Sequence, residues 1–473
     1  MSTLTSLEVP SASEGTTGVT QNEVRWAPAR SPGAEWSGAD LQRAEQLSLV
    51  SVPVTLGAVA LVDELCAAVA AWEAPNRKGT GTRGPAGLRA LRKAVGAVVG
   101  GVLIAWRRTP ARAVYRSVDR SAFSGGPVGF RQFVAAVDGM VALGLLAHAS
   151  GIRFQIDWGD GASQHGYARR LRPTAALVGM AERHGVTPAT IREDFRPEFP
   201  TVPPTVAAPL VLRPLPVAEW ERRGVRARDL PVPQGEPWHR LAAEVEDFNA
   251  FVAEHDIRGC LPPRFRRVFH GDHRLYGRWH AAGSDGVYQQ LSEAQRLGIT
   301  INGDAVAEID VRASHLTIMH GLLGLPMPEG DPYSVPGLEG QREVLKAWIT
   351  ATLGKGSPVR RWPRSAEDHV RDVPASMVAG VVLARYPFLA EPWRVVEHLR
   401  DLGDPRRLLT YRLMALEAEA VTAAMKVLRR EGVLALPVHD SLIVPASSAD
   451  RAEVAMREAF AEAVQAWPMT TRD

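Results

Sequence analysis

Two segments in the C-terminal half constrain this chain more than any other feature. Residues 305–323 read AVAEIDVRASHLTIMHGLL. Apolar and polar residues alternate over 306–311, after an Asn302-Gly303 turn signal, as in a half-buried strand. After Ala313 the spacing becomes helical, through Leu316, Met319, Leu322 and Leu323. Asp310 is therefore expected near the end of a strand that runs into a helix. Residues 433–445 read VLALPVHDSLIVP and follow a long helical pattern over 408–431. Apolar runs at 433–438 and 442–444 flank His439-Asp440-Ser441, which reads as a tight hairpin or bent strand with Asp440 at the turn.

Those two aspartates limit the chemistry. His439, Asp440 and Ser441 are adjacent, and neighbours on extended chain point to alternate faces, so they cannot relay a proton among themselves as a hydrolase triad does. No Gly-x-Ser-x-Gly elbow accompanies them. Two aspartates from separate strands can instead share a pair of divalent ions, as two-metal phosphoryl transfer requires. Magnesium suits such a site, because it takes oxygen ligands and few carboxylates. Glu308, on the same strand face as Asp310, is a further candidate ligand. Taken singly, each aspartate also fits a plainer role, Asp310 as a helix cap and Asp440 as a turn residue.

Between them lies a basic helical pattern at 341–354, QREVLKAWITATLG. Arg342 and Lys346 are four residues apart and share a face, while Val344, Leu345, Trp348 and Ile349 supply an apolar side. Such a pair suits a triphosphate, although a solvated face beside Glu343 has the same pattern. Composition sharpens the point. Lysine occurs only at Lys78, Lys93, Lys346, Lys355 and Lys426, and arginine supplies the other cations. Lys355, Arg360, Arg361 and Arg364 follow in a segment broken by Pro358 and Pro363, a cluster able to track a phosphate backbone.

The order of these motifs resembles the palm and fingers of family A DNA polymerases and the related single-subunit phage-type RNA polymerases. Within that superfamily it is most similar to phage- and plasmid-type polymerase-like proteins. Gly277-Arg278, in HRLYGRW, resembles the Gly-Arg that contacts primer-template. The resemblance spans residues 264–446, under half of the chain. It implies an α+β fold, with an antiparallel palm sheet and helical fingers. Asp310 and Asp440 would hold two Mg2+ ions, with Mn2+ as a substitute. Arg342 and Lys346 would bind the triphosphate together with Thr350 and His315, and Lys346 would protonate the departing pyrophosphate. Arg278, Arg274, Arg360, Arg361 and Arg364 would hold the duplex. His439 would orient the primer end, hairpin packing being its plainer role.

The function implied is that of a template-directed nucleotidyltransferase, a DNA polymerase extending a primer 3′-hydroxyl in phage or plasmid replication or repair. Its partners would be a primer-template, DNA above all, and nucleoside triphosphates. The alternatives are an RNA- or primer-synthesising enzyme, and a catalytically weak DNA-binding regulator. Departures from the family pattern bear on the choice. Val311-Arg312 stands where those enzymes carry Tyr-Ser, and His315 stands in place of a sugar-gating Glu. Thr350 and Gly354 replace two aromatics of the fingers helix, so base stacking would pass to Trp348 or Trp362. Glu417 and Glu419, on the helix before the hairpin, are candidates to line the site.

The remainder is less specific. A formal net charge of +3 excludes a histone-like polycation, so any nucleic-acid surface is a local patch. Two distant cysteines, Cys66 and Cys260, cannot build a disulfide framework or a cysteine-rich zinc site, which fits a reducing cytoplasm. The apolar stretch 94–106 is too short to span a membrane and reads as a buried helix. No signal peptide is expected. Residues 1–48 are expected to be disordered. Residues 49–196 form a helical region, with helices over 50–106 broken by a loop at 76–84. A further helix is expected over 130–149, ending at Gly151. A strand at 152–158, the turn Gly159-Asp160-Gly161 and a second strand carrying Arg169, Arg170 and Arg172 follow, then a helix at 174–184. This order fits a winged helix with a basic wing, and equally a small helical domain with a solvated hairpin. Residues 197–263 are expected as a proline-rich connector and a helix at 238–255, leaving 264–473 as palm and fingers.

Overall fold

Alternating and helical apolar patterns build this chain into a mixed α+β fold around two hydrophobic cores. The computed structural model describes residues 35–37, 40, 41, 43–76, 82–108, 111–123, 125–157, 162–215, 228–362, 366–466 and 468–472. The disorder expected for residues 1–34, part of the 76–84 loop, the turn Gly159-Asp160-Gly161 and Arg364 lie outside the described residues.

The first core draws on residues 47–195. Strands β1 (Glu45–Gln46) and β2 (Ser51–Pro53) precede helices α1 (Leu56–Glu73) and α2 (Pro85–Trp106). Order therefore begins inside the segment expected to be disordered, and Leu47 is buried. Thr55 caps α1 by accepting from the Ala58 N–H at 3.3 Å. Helix α2 contains the apolar stretch and packs so closely that a Cβ on Gly100 would stand 2.6 Å from Phe195. Next come β3 (Val114–Arg116), α3 (Phe130–Ala142), β4 (Leu146–Ala149), the hairpin β5 (Ile152–Asp157) and β6 (Ala162–Tyr167), β7 (Arg169–Pro173), α4 (Ala175–Arg183) and β8 (Phe195–Pro197).

Two expectations are corrected here. Helix α3 stops at Ala142 because Gly144 takes φ +71° and Leu145 N–H turns back to the Met140 carbonyl at 2.8 Å. The residues beyond become β4. The three arginines assigned to a wing belong to β7, which pairs with β3 and β4 rather than with the β5–β6 hairpin. Arg170 is buried over the Tyr115 ring and donates to the Leu41 carbonyl, Arg172 is buried over Trp36, and Arg169 pairs with Asp138. Arg170 and Arg172 are thus spent inside the fold, and Arg169 is half-buried.

The second core draws on residues 210–466. Its elements are β9 (Leu210–Arg213), α5 (Trp238–Ala253), β10 (Ile257–Arg258), β11 (Phe265–His270), β12 (Trp279–Ala281), β13 (Thr300–Ile301), β14 (Asp304–Arg312), α6 (Ser314–Leu322), α7 (Arg342–Lys355), α8 (Ala375–Arg385), α9 (Pro405–Arg430), β15 (Leu436–Val438), β16 (Ser441–Pro445), α10 (Ala449–Val464) and β17 (Met469–Arg472). Part of the expected connector is thus structured, since β9 lies parallel on β11 and buries Leu210 and Leu212. One sheet runs β12-β11-β9. The other runs β10-β13-β14-β16-β15, with β17 also on β14. Strand β14 is antiparallel to both β16 and β17, with Asp310 opposite Ser441 on one side and Thr471 on the other. Among the described residues, no helix is long and apolar enough to cross a membrane.

A buried ion pair joins the two cores. Arg116 on β3 donates to Asp285 Oδ2 at 2.8 Å, and Leu49 N–H donates to Oδ1 at 2.9 Å. Both side chains are buried. Removing one partner strands a charge, so Asp285→Ala is expected to cost about 3–5 kcal/mol of unfolding free energy. Urea denaturation checks this: an unmoved midpoint would contradict the role given to the pair.

Candidate active site

Two backbone features set the catalytic aspartate candidates side by side. Strand β14 ends at Arg312, and Ala313, at φ +53°, swings the chain directly into α6. Facing it, Val438 pairs with Ser441, which leaves His439 and Asp440 as a two-residue hairpin loop, with His439 at φ +56°. Non-glycine residues adopt this left-handed region at a cost that the surrounding packing must outweigh. With Asp310 paired to Ser441, its neighbour Asp440 projects from the adjoining turn. Asp310 and Asp440 both line one cavity of about 250 Å³.

Helix α7 forms another wall. Val344, Leu345, Trp348 and Ile349 bury one side of it. Arg342, Lys346 and Thr350, at intervals of four, form the exposed row that lines the cavity. Arg342 is held by Asp331 at 2.6 Å and Glu343 at 3.1 Å, and lies over the Tyr333 ring at 5.3 Å. Among the described residues, Lys346 has no ion-pair partner.

Helix α9 supplies a third carboxylate, Glu417, which is 1% exposed. It accepts from Arg278 and, at 2.8 Å, from Ser314 Oγ, which also lies 3.1 Å from Asp440 Oδ2. A serine has one hydroxyl proton and can serve only one of these carboxylates at a time. Burial raises the Glu417 carboxyl above its usual range, against the pull of Arg278. Burial and the charge of Glu417 raise Asp440 likewise. His315, in the first turn of α6, has its Nε2 buried without a hydrogen bond, 3.4 Å from Glu417. Burial, reinforced by Arg278, lowers it to about 4, so the imidazole is neutral at pH 7. Burial pushes the Tyr333 hydroxyl up to about 12, which keeps it protonated.

This arrangement is acidic on the strand side and basic on the helix side. Among the described residues, no group of three or more His, Cys, Asp or Glu side chains is gathered as a ready-made metal cage. The oxygen-only pair Asp310 and Asp440, with Glu417 behind, suits a hard divalent cation that completes its shell with water and phosphate. A cation there would also relieve the charge of Glu417 that raises Asp440.

The cavity gathers Asp310, Asp440, Lys346, Arg342, Thr350, His315, Arg278 and Glu417. The other residues expected at the site or along the duplex do not line this cavity. Arg274 lies away from it, paired with Asp272 at 2.8 Å. Arg360 and Arg361 are exposed beyond the C-terminal end of α7 and do not line it. His439 is exposed on the turn beside it. Glu308 is buried, clamped by Arg296 at 2.7 and 2.9 Å and accepting from Ser441 Oγ at 2.6 Å, so its oxygens are occupied. Glu419 pairs with Arg412. Neither tryptophan proposed for base stacking reaches the cavity. Trp348 is fully buried and donates to the Val359 carbonyl at 3.0 Å, and Trp362 donates to the Val373 carbonyl at 2.6 Å. The aromatic in the cavity is Tyr333, from an aperiodic segment that carried no signal. Ser314 was also missed, although its place at the strand-to-helix switch could have identified it.

No family model matches the chain, and no curated protein matches it. Among solved structures, it is similar to the POL domain of Pol1 from M. smegmatis in complex with DNA primer-template and dNTP, at 14% identity and a TM-score of 0.30. The match covers 50% of this chain and 51% of that one, so the chain spans about half the length of the structure it resembles.

The burial of Trp348 gives a direct test. Trp348→Ala opens a core cavity and leaves the Val359 carbonyl unpaired, and is expected to cost about 3–5 kcal/mol in denaturant unfolding. A loss below about 1 kcal/mol would mean that the indole is not core.

Proposed function

We propose that this chain is a template-directed nucleotidyltransferase that extends a primer 3′-hydroxyl on a DNA template, in the manner of family A DNA polymerases. One observation carries the reading: Asp310, from β14, and Asp440, from the adjoining β15–β16 turn, line the same cavity as Arg342, Lys346 and Thr350 from one helix face. Acid on one wall and base on another is what a triphosphate held by divalent ions requires.

In this reading Asp310 and Asp440 hold Mg2+, or Mn2+ in its place. When bound, the ions lower the pKa of the attacking hydroxyl and stabilise the leaving pyrophosphate. Lys346 and Arg342 neutralise the triphosphate, and Arg342 exchanges Asp331 for a phosphate oxygen as the nucleotide enters. Lys346 gives a proton to the departing pyrophosphate. Thr350 continues the same face. Arg278 and Ser314 fix Glu417 and keep the Asp440 turn in place. His315 stands as a neutral wall where the sugar would lie and limits which sugar fits. Arg278 and His439 contact the primer-template, with Arg360 and Arg361 beyond the C-terminal end of α7.

A second reading has its own support. The engaged Arg342, together with Thr350 and Gly354 in place of aromatics, favours a catalytically weak DNA-binding regulator. Primer extension with Mg2+ and all eight nucleotides separates the two. Extension is expected, with Lys346→Ala slowing it about 10²–10⁴-fold, the usual worth of a general acid. Asp310→Asn and Asp440→Asn should leave about a thousandth of the rate or less, since each removes a metal ligand. No extension of any template by the wild-type chain would overturn the enzyme reading. Ribonucleotide incorporation without a primer would favour RNA synthesis.

A further inference from the structure

The three-stranded sheet β12-β11-β9 carries a second cationic surface. Along β11, Phe265, Arg267 and Phe269 turn into the core, while Arg266, Val268 and His270 point to the other side, Val268 fully covered and the other two half-buried. Side chains opposite one another on paired strands share a face. Arg266 is opposite His280 on β12, and His270 is opposite Arg213 on β9. The four therefore stand together on one face of the sheet.

The two arginines of β11 differ in a telling way. Arg267, on the core face, is satisfied by the Gly277 carbonyl at 2.9 Å and Glu244 at 2.8 Å. Arg266 has a buried Nε with no partner. Among the described residues, neither Arg266 nor Arg213 has a carboxylate within ion-pair distance, and the charge that reaches Arg266 from the acidic side is that of the exposed Asp229. Burial, then Arg213, His439, Arg266 and Arg278, hold His280 down at about 3. Arg278, which lines the candidate site, lies 6.0 Å from the centroid of the Tyr276 ring, so the face adjoins the site. Tyr276 stacks on His280 with centroids 5.8 Å apart, and its hydroxyl lies 3.2 Å from Nε2.

We infer that the face formed by Arg213, Arg266 and His280 binds the phosphodiester backbone of a nucleic-acid strand that leads to the active-site cavity. The inference rests on the proposed nucleic-acid substrate. Guanidinium groups that, among the described residues, have no carboxylate partner are stabilised by a polyanion, and two of them on adjacent strands can follow a backbone.

The test is binding of the full chain to a fluorescent primer-template DNA duplex, followed by anisotropy over a salt series without nucleotide. Arg213→Ala and Arg266→Gln are each expected to weaken binding and to lower the slope of log affinity against log salt by about 1. Arg451→Ala, an exposed arginine paired with Glu431 elsewhere, serves as the control and should change neither. Arg213→Ala carries the test if Arg266→Gln lowers the melting temperature. Unchanged affinity and slope in folded Arg213→Ala would overturn the inference while leaving primer extension intact. Loss of slope in that variant, in a wild-type chain that extends nothing, would uphold the inference and sink the polymerase reading.

Discussion

The buried carboxylate of Glu417 is the constraint on which the site depends. An ionised carboxylate taken out of water costs several kcal/mol unless it is paired and hydrogen-bonded. Glu417 meets this demand with Arg278 and Ser314. Those partners come from the loop before β12 and from the start of α6, so satisfying one charge pins α9 against both. Ser314 also touches Asp440, which draws the β15–β16 turn into the same network. Four chain segments are thereby fixed around one cavity. Burial raises the carboxyls of Asp440 and Glu417, and the charge of Glu417 adds to the rise at Asp440, a strain that a bound cation would relieve.

Register is the second constraint. Asp310 lies on a strand flanked by β16 and β17, and a one-residue slip would turn it to the opposite face. Such slips are penalised because Ile309 and Val311, its neighbours, are fully buried. The same apolar alternation that made the strand readable also aims the aspartate.

What was legible follows from this. Periodicity exposed β14, α6, α7 and α9 within a few residues, because each has one strongly apolar face. Asp310, Asp440, Arg342 and Lys346 stood out through their joint order along the chain, since each alone also fits a plainer structural role. Tyr333 was illegible, since it reaches the cavity from a segment with no period. Trp348 misled, because a large aromatic on a helix between two cations reads equally as surface or core, and only packing decides. The β7 arginines misled for the converse reason: local sequence cannot reveal that Tyr115 and Trp36 cover Arg170 and Arg172. Gly144, which ends α3, was a readable stop signal that the apolar run beyond it obscured.

The central claim is that Asp310 and Asp440 hold divalent ions jointly. Anomalous diffraction from crystals grown with Mn2+, primer-template and a non-hydrolysable nucleotide tests it most directly. Two peaks are expected between these carboxylates, about 3.5–4 Å apart, with the nucleotide phosphates between them and Lys346. Mn2+ bound elsewhere, or no peak at either aspartate while nucleotide is present, would contradict the account.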